Sequence, residues 1–150
     1  MDRQQLAQVL CSHGVRPTQQ RLAVYEYLLG HPIHPSVDTV YEAVSVDQPT
    51  FSRTTVYNSL HALVQAGLAR ELPLCSEERR YDAGLTPHAH FLCNACGCIK
   101  DVPLAPDTVH QLLLKENSEL DGCLVQGQEL SISGLCAACS SADSEAVASV

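Results

Sequence analysis

At 150 residues the chain has room for one substantial core or for two small domains of about 80 and 60 residues, and its composition is that of an ordinary globular protein. No apolar run approaches the roughly 18 residues of a membrane span, and the opening MDRQQLAQVLCSHG lacks a basic region followed by an apolar signal core, so a cytoplasmic location without membrane contact is expected. The net charge of −8 argues against a polyanion partner, yet it is unevenly spread: residues 1–82 hold seven basic against nine acidic side chains, residues 83–150 only two against eight.

The first half reads as helices. Pro17 and Thr18 open a segment in which Leu22, Tyr25, Leu28 and Leu29 recur at helical spacing, closed by Gly30 and Pro32. Ser36 is the expected N-cap of a second helix with Val37, Val40, Tyr41 and Val44 on one face, stopped by Pro49. Ser52 caps a third, SRTTVYNSLHALVQAG, whose apolar face is Val56, Leu60, Leu63 and Val64 and whose C-terminal stop is Gly67. LARELPLCSEERRYD then reads as strand, turn, strand, a ribbon the size of a wing. Two helices, a short turn and a ribbon predict a winged helix-turn-helix over residues 1–82, with Arg53, Thr54, Thr55, Tyr57 and Asn58 offered to the major groove of double-stranded DNA. The same pattern also fits a small helical bundle with a solvated polar face.

The second half, residues 83–139, changes character. FLCNACGCIKDV reads as two short strands around a turn, DTVHQLLLKENSEL as a helix, and GCLVQGQELSISG as strands leading to a second CxxC. Residues 140–150 are small, acidic and aperiodic, and are expected to be a disordered tail.

Eight cysteines in a reducing compartment point to metal or redox chemistry. Cys93, Cys96, Cys136 and Cys139 form two CxxC pairs, and four thiolates suit a closed, tetrahedral structural zinc site. Such a site carries roughly 10 to 16 kcal/mol of apparent binding energy, comparable with the roughly 5 to 15 kcal/mol stability of a domain. His88 and His90 stand two apart, so on a strand both face one way, and Asp101 follows the turn, where a returning strand brings it alongside. Imidazole with carboxylate suits iron, manganese or zinc. Further ligands must come from elsewhere; Asp82, directly after the wing, and His34, in the turn before the second helix, are the best candidates. Two partly exposed surface histidines remain the plainer reading of His88 and His90. Cys98 either competes for zinc, helps sense oxidation, or is a small buried residue. Cys11, Cys75 and Cys123 have no identifiable partner, and His13, His31, His61 and His110 read as surface or satisfied side chains.

Taken in order, GVRPTQQRLAVYEYL, HPSVDTVYEAV, FSRTTVYNSLHALVQAGL, YD, HAHFLCNACGCIKD and CAAC resemble the ferric uptake regulator (Fur) family of metal-dependent repressors over about residues 14 to 139. The resemblance implies an α+β chain: an N-terminal winged-helix domain, a small C-terminal α/β dimerisation domain, and a homodimer on a palindromic operator. It also implies structural zinc on the four cysteines and a regulatory metal, Fe(2+) or Mn(2+), on His34, Asp82, His88, His90 and Asp101.

Branches with an additional metal site often carry a histidine just before the HxH pair and an acidic residue between its histidines; here those positions are Pro87 and Ala89, so that site is expected to be absent. Asp82 and Asp101 resemble the carboxylates of the peroxide-responsive (PerR) branch. This implies peroxide sensing by metal-catalysed oxidation of a ligand histidine, His34 or His88. The alternatives are a repressor that senses iron or zinc availability and, in a different class, a metalloenzyme or a metal-buffering protein. No nucleophile or separate general base lies near the ligands, so neither catalysis nor a small organic substrate is expected. One departure stands out: where the family commonly reads TVYR, this chain has Asn58, which removes one phosphate or guanine contact. Arg53, Arg70, Arg79 and Arg80 remain as phosphate candidates.

Overall fold

The computed structural model describes residues 2–46, 48, 50–72, 78–84, 86–105, 118–124 and 130–141. They form two compact units, residues 1–85 and 86–150.

The first unit contains helices α1 (Arg3–Ser12), α2 (Gln19–Gly30), α3 (Val37–Ser45) and α4 (Arg53–Gln65), then the antiparallel strands β1 (Arg70–Leu72) and β2 (Arg80–Asp82). Its core gathers Leu6 and Leu10 of α1, Val24, Tyr25 and Leu28 of α2, Val40 of α3, and Val56, Leu60 and Leu63 of α4, closed by Leu68 and Tyr81. Each fully buried aliphatic side chain of this kind contributes about 1.5 to 3 kcal/mol. The expected caps Ser36 and Ser52 are in place, and Thr18 caps α2: their side chains accept hydrogen bonds from the backbone N–H groups of Thr39, Thr55 and Arg21 respectively. Each supplies one of the acceptors that a helix N-terminus lacks.

Three details differ from the sequence reading. Helix α1 was not anticipated, although Asp2 and Gln5 form a reciprocal capping box that starts it. Leu29 is exposed, and Val24 takes its place beside Tyr25 and Leu28 in the core. Helix α3 ends at Ser45, before Pro49, which lies outside the described residues.

The second unit is built on a three-stranded sheet in the order β4-β3-β5, with β3 at His88–Cys93, β4 at Ile99–Pro103 and β5 at Ser131–Gly134. Strands β3 and β4 are an antiparallel hairpin, while β3 and β5 run parallel. A 3-10 turn spans Ser118–Leu120 and residues 137–141 are helical. Most of the helix expected over 107–120, the turn of the wing, residues 125–129 and the tail beyond residue 141 lie outside the described residues, as do Cys75 and His110.

Candidate metal centres

The hairpin and the parallel pairing decide where the second unit's ligands go. Side chains alternate along a strand, so His88 and His90 project from one face of β3 and Cys93 from the other. On the first face, His90 lies directly across from Asp101 of β4. The His88 and His90 Nε2 atoms are 3.0 Å apart, with the rings nearly perpendicular, and Asp101 Oδ1 lies 3.8 Å from each. The His88 Nδ1–H donates to the Thr86 carbonyl oxygen at 2.7 Å, the backbone anchor that commonly fixes a metal-binding imidazole with Nε2 as its lone-pair nitrogen. A cation bonded to two ring nitrogens at about 2.1 Å and at right angles holds them about 3.0 Å apart. The donor set therefore fits a borderline metal such as iron, manganese or zinc.

In the first unit, His34 and Asp82 are both buried. His34 has a φ of 52°, the one positive value at a non-glycine among the described residues. A side chain held in that region costs about 1 to 3 kcal/mol, and such residues concentrate at functional sites. Its segment is fixed from β2: Tyr81 N–H donates to the Pro35 carbonyl at 3.1 Å, Ser36 bridges to Arg80, and the Arg80 guanidinium donates to the His34 carbonyl at 3.4 Å. Asp82, two residues along β2, accepts the Gly84 N–H at 2.7 Å.

The thiols collect at one end of the sheet. Because β5 runs parallel to β3 with Gly134 beside Cys93, both CxxC motifs emerge at the same end. Cys96 and Cys136 have their sulfurs 3.8 Å apart, and tetrahedral zinc with bonds of about 2.3 Å has S···S edges of about 3.8 Å. Backbone amides prepare the cluster for charge. The Cys136 N–H donates to Cys93 Sγ at 3.3 Å, and N–H bonds from Cys96, Cys136 and Ala95 hold the Cys93 thiol down to about 6 from its ordinary 9.0. Cys136 is lowered in the same way, chiefly by the Cys139 amide. Cys98 and Cys139 are both pushed up to about 12, the first chiefly by the Cys96 side chain and the second chiefly by that of Cys136.

One finding narrows the sequence reading. The thiols that lie within 4.8 Å of one another are those of Cys93, Cys96, Cys98 and Cys136, so of the alternatives for Cys98 the small buried residue gives way to a member of the thiol cluster. Cys139 interacts with Cys136, Cys96 and Cys93. Cys11 and Cys123 are exposed.

Of the residues expected to meet DNA, Arg53, Thr54, Tyr57 and Asn58 are exposed on α4 and Thr55 is half-buried. The Arg53 guanidinium is ion-paired with Asp38 of α3 and lies 4.9 Å above the Tyr41 ring. The Thr55 hydroxyl is 2.9 Å from that of Ser52, so this side chain supports the helix cap. On the wing, Arg79 pairs with Glu71 at 3.1 Å and Arg80 with Glu78 at 3.0 Å, while Arg70 is exposed on β1. His13 and His31 bond the Val9 and Tyr27 carbonyls, and His61 stacks near Tyr57.

A sequence model of the Ferric uptake regulator family matches residues 12–125. The chain is 37% identical over 128 residues to the peroxide operon regulator of Bacillus subtilis, covering 85% of this chain and 86% of that protein. It is 34% identical over 131 residues to the peroxide-responsive repressor PerR of Staphylococcus saprophyticus, covering 87% and 86%. The crystal structure of the Campylobacter jejuni peroxide stress regulator superimposes with a TM-score of 0.70 at 26% identity, covering 91% of this chain and 97% of that one.

Proposed function

The chain belongs to the ferric uptake regulator family, and we propose that it is a metal-dependent transcriptional repressor that releases DNA when peroxide oxidises a ligand histidine. The observation that carries this reading is the arrangement of His88, His90 and Asp101 on one sheet face, with ring nitrogens already at the separation a shared cation sets. The peroxide-responsive relatives support the branch. Membership in a family of regulators sets aside the metalloenzyme and metal-buffering readings, and among the described residues no helix is long and apolar enough to cross a membrane.

In this reading residues 1–82 form the DNA-binding domain, residues 83–139 the dimerisation domain of a cytoplasmic homodimer, and α4 reads a palindromic operator through Arg53, Thr54, Thr55, Tyr57 and Asn58. Cys93, Cys96, Cys136 and Cys139 hold structural zinc. His34 and Asp82 from the first domain, with His88, His90 and Asp101 from the second, hold the regulatory Fe(2+) or Mn(2+). A metal bonded to residues of both domains favours the arrangement in which all its ligands meet, and it shifts the equilibrium by its differential affinity. His34, Asp82, His88, His90 and Asp101 would hold Fe(2+), which would supply the means of cleaving the O–O bond of hydrogen peroxide; in the net reaction one peroxide oxygen ends on a ligand imidazole, which is oxidised by two electrons, and the other leaves as water. The chain's own part is to hold the His88 ring by the Thr86 carbonyl and to hold His34 in its left-handed backbone, which presents both rings at fixed positions. An oxidised ring loses its fit as a ligand, the domains uncouple, and the operator is released.

The test is peroxide treatment of iron-loaded protein bound to operator DNA, followed by peptide mass measurement. One added oxygen on a peptide containing His34 or His88, together with DNA release, is expected, and manganese-loaded protein should stay bound and unmodified. DNA release with both histidines intact would transfer the sensing to the cysteines. Binding that follows iron or manganese supply and ignores peroxide would make the protein a sensor of metal availability.

A further inference from the structure

Cys93, Cys96, Cys98 and Cys136 lie with their sulfurs within 4.8 Å of one another and Cys139 interacts with three of them, which makes one thiol more than a tetrahedral ion needs. The register of the hairpin runs from His88 opposite Pro103 to Leu92 opposite Ile99, and one residue further it sets Cys98 opposite Cys93, where the Cys93 N–H donates to the Cys98 carbonyl at 2.9 Å. Residues directly opposed across an antiparallel ladder project from the same face with their Cβ atoms about 4.5 to 5.5 Å apart. The ladder itself therefore delivers Cys98 to the face that holds Cys93. The tight turn that makes this possible closes through Gly97, at a φ of 68°, whose N–H donates to the Cys93 carbonyl at 2.9 Å.

Two thiols are thus within reach of the three others. The Cys98 side chain interacts with those of Cys96 and Cys136, and the Cys139 side chain with those of Cys136, Cys96 and Cys93. Both are half-buried. They come from different elements: Cys98 from the hairpin, Cys139 from the helical residues 137–141, one turn beyond Cys136. Zinc has no geometric preference of its own and passes through five-coordinate states readily, so an incoming thiol can displace a bound one without the ion leaving.

We propose that Cys98 is an alternative zinc ligand that exchanges with Cys139 at the fourth coordination position, while Cys93, Cys96 and Cys136 hold the ion throughout. This rests on reading the cluster as a zinc site. In the exchange one Zn–S bond forms and one breaks, the incoming thiol gives a proton to solvent, the departing thiolate takes one up, and no electrons move. The site then keeps its ion when either thiol is lost, and the zinc-loaded protein always has one uncoordinated thiol beside the metal.

Zinc content and chelator competition of the full-length protein under reducing conditions test this with the variants Cys98→Ser, Cys139→Ser and the double substitution. Each single variant is expected to keep one zinc per chain with affinity within about tenfold of the parent, and the double variant to lose more than about a hundredfold. Loss of zinc in Cys139→Ser to the level of the double variant, with Cys98→Ser unchanged, would make Cys98 a bystander and overturn the proposal. The mirror result would make Cys98 the sole fourth ligand and overturn the exchange. Maleimide labelling of the unaltered zinc-loaded protein gives an answer that does not depend on variants folding: one adduct on the cluster is expected, divided between the peptides carrying Cys98 and Cys139, and an adduct confined to either one would refute exchange. A parent protein that retains no zinc would instead remove the underlying zinc assignment.

Discussion

Asp101 lies 3.8 Å from the Nε2 atoms of both His88 and His90, yet 38% of its side chain is exposed. Its charge can therefore be removed without opening a cavity. Asp101→Asn should weaken manganese binding by about 10- to 100-fold, the usual cost of disturbing a group at a metal site, while zinc content and folding stay unchanged; isothermal titration and elemental analysis check this. Unchanged manganese affinity would remove Asp101 from the ligand set. These three residues were legible in the sequence because period two and a hairpin turn are both local: His88 and His90 had to share a face, and the returning strand had to pass them. Cys98 was legible in principle by the same counting, since a turn centred between Cys93 and Cys98 fixes the pair. What hid it was the strength of the CxxC pattern, which supplies four thiolates without needing a fifth. The backbone of His34 was not legible at all, because a positive φ at a non-glycine is imposed by surrounding contacts such as those from Tyr81 and Arg80 and not by local preference.

Helix α4 shows how far an element can be read ahead of its structure and where the reading stops. Its cap Ser52, its buried face of Val56, Leu60 and Leu63 and its end before Gly67 all follow from local rules. Helix α1 follows similar rules, but a capping box at the second residue, with only Leu6 and Leu10 buried behind it, gives a weak periodic signal. Neither rule reports what a polar side chain touches. Arg53 pairs with Asp38 across the turn, an exposed and solvent-screened contact, so a phosphate can compete for the guanidinium. Asn58 is exposed on the same helix and stands where the family commonly has arginine. If α4 lies in the major groove, Asn58→Arg restores a cationic contact in each protomer: operator affinity should rise, and the slope of log K against log salt for the dimer should steepen by about two. Fluorescence anisotropy across a salt series measures this directly, and a slope that does not change would place the side chain away from the phosphates.

At the scale of the whole molecule, the proposed ligands divide between the units: His34 and Asp82 belong to residues 1–85, and His88, His90 and Asp101 to residues 86–150. The acidity is likewise uneven, concentrated in residues 83–150 while residues 1–82 stay near balance. The two metals are also set apart by donor type, thiolate against imidazole and carboxylate. If, as proposed, one metal takes ligands from both units and the operator selects one arrangement of them, the two binding events are thermodynamically linked, and linkage is reciprocal. If manganese raises operator affinity by some factor, operator DNA must raise manganese affinity by the same overall factor, taken as the product over the two sites of the dimer; a switch from about 1:99 to 99:1 corresponds to about 10⁴, or 5.5 kcal/mol. Titrating manganese into the zinc-loaded protein with and without operator DNA should therefore return the factor found by titrating DNA with and without manganese. Asp82→Ala, which changes only the first unit's share of the ligands, should bring both factors toward one while zinc content and dimerisation are retained, because the second unit's ligands then hold manganese without committing the DNA-binding unit. Manganese that binds with equal affinity in the presence and absence of DNA, in the unaltered protein, would mean that the metal does not select an arrangement of the units, and the clamp would have to be abandoned whatever the identity of its ligands.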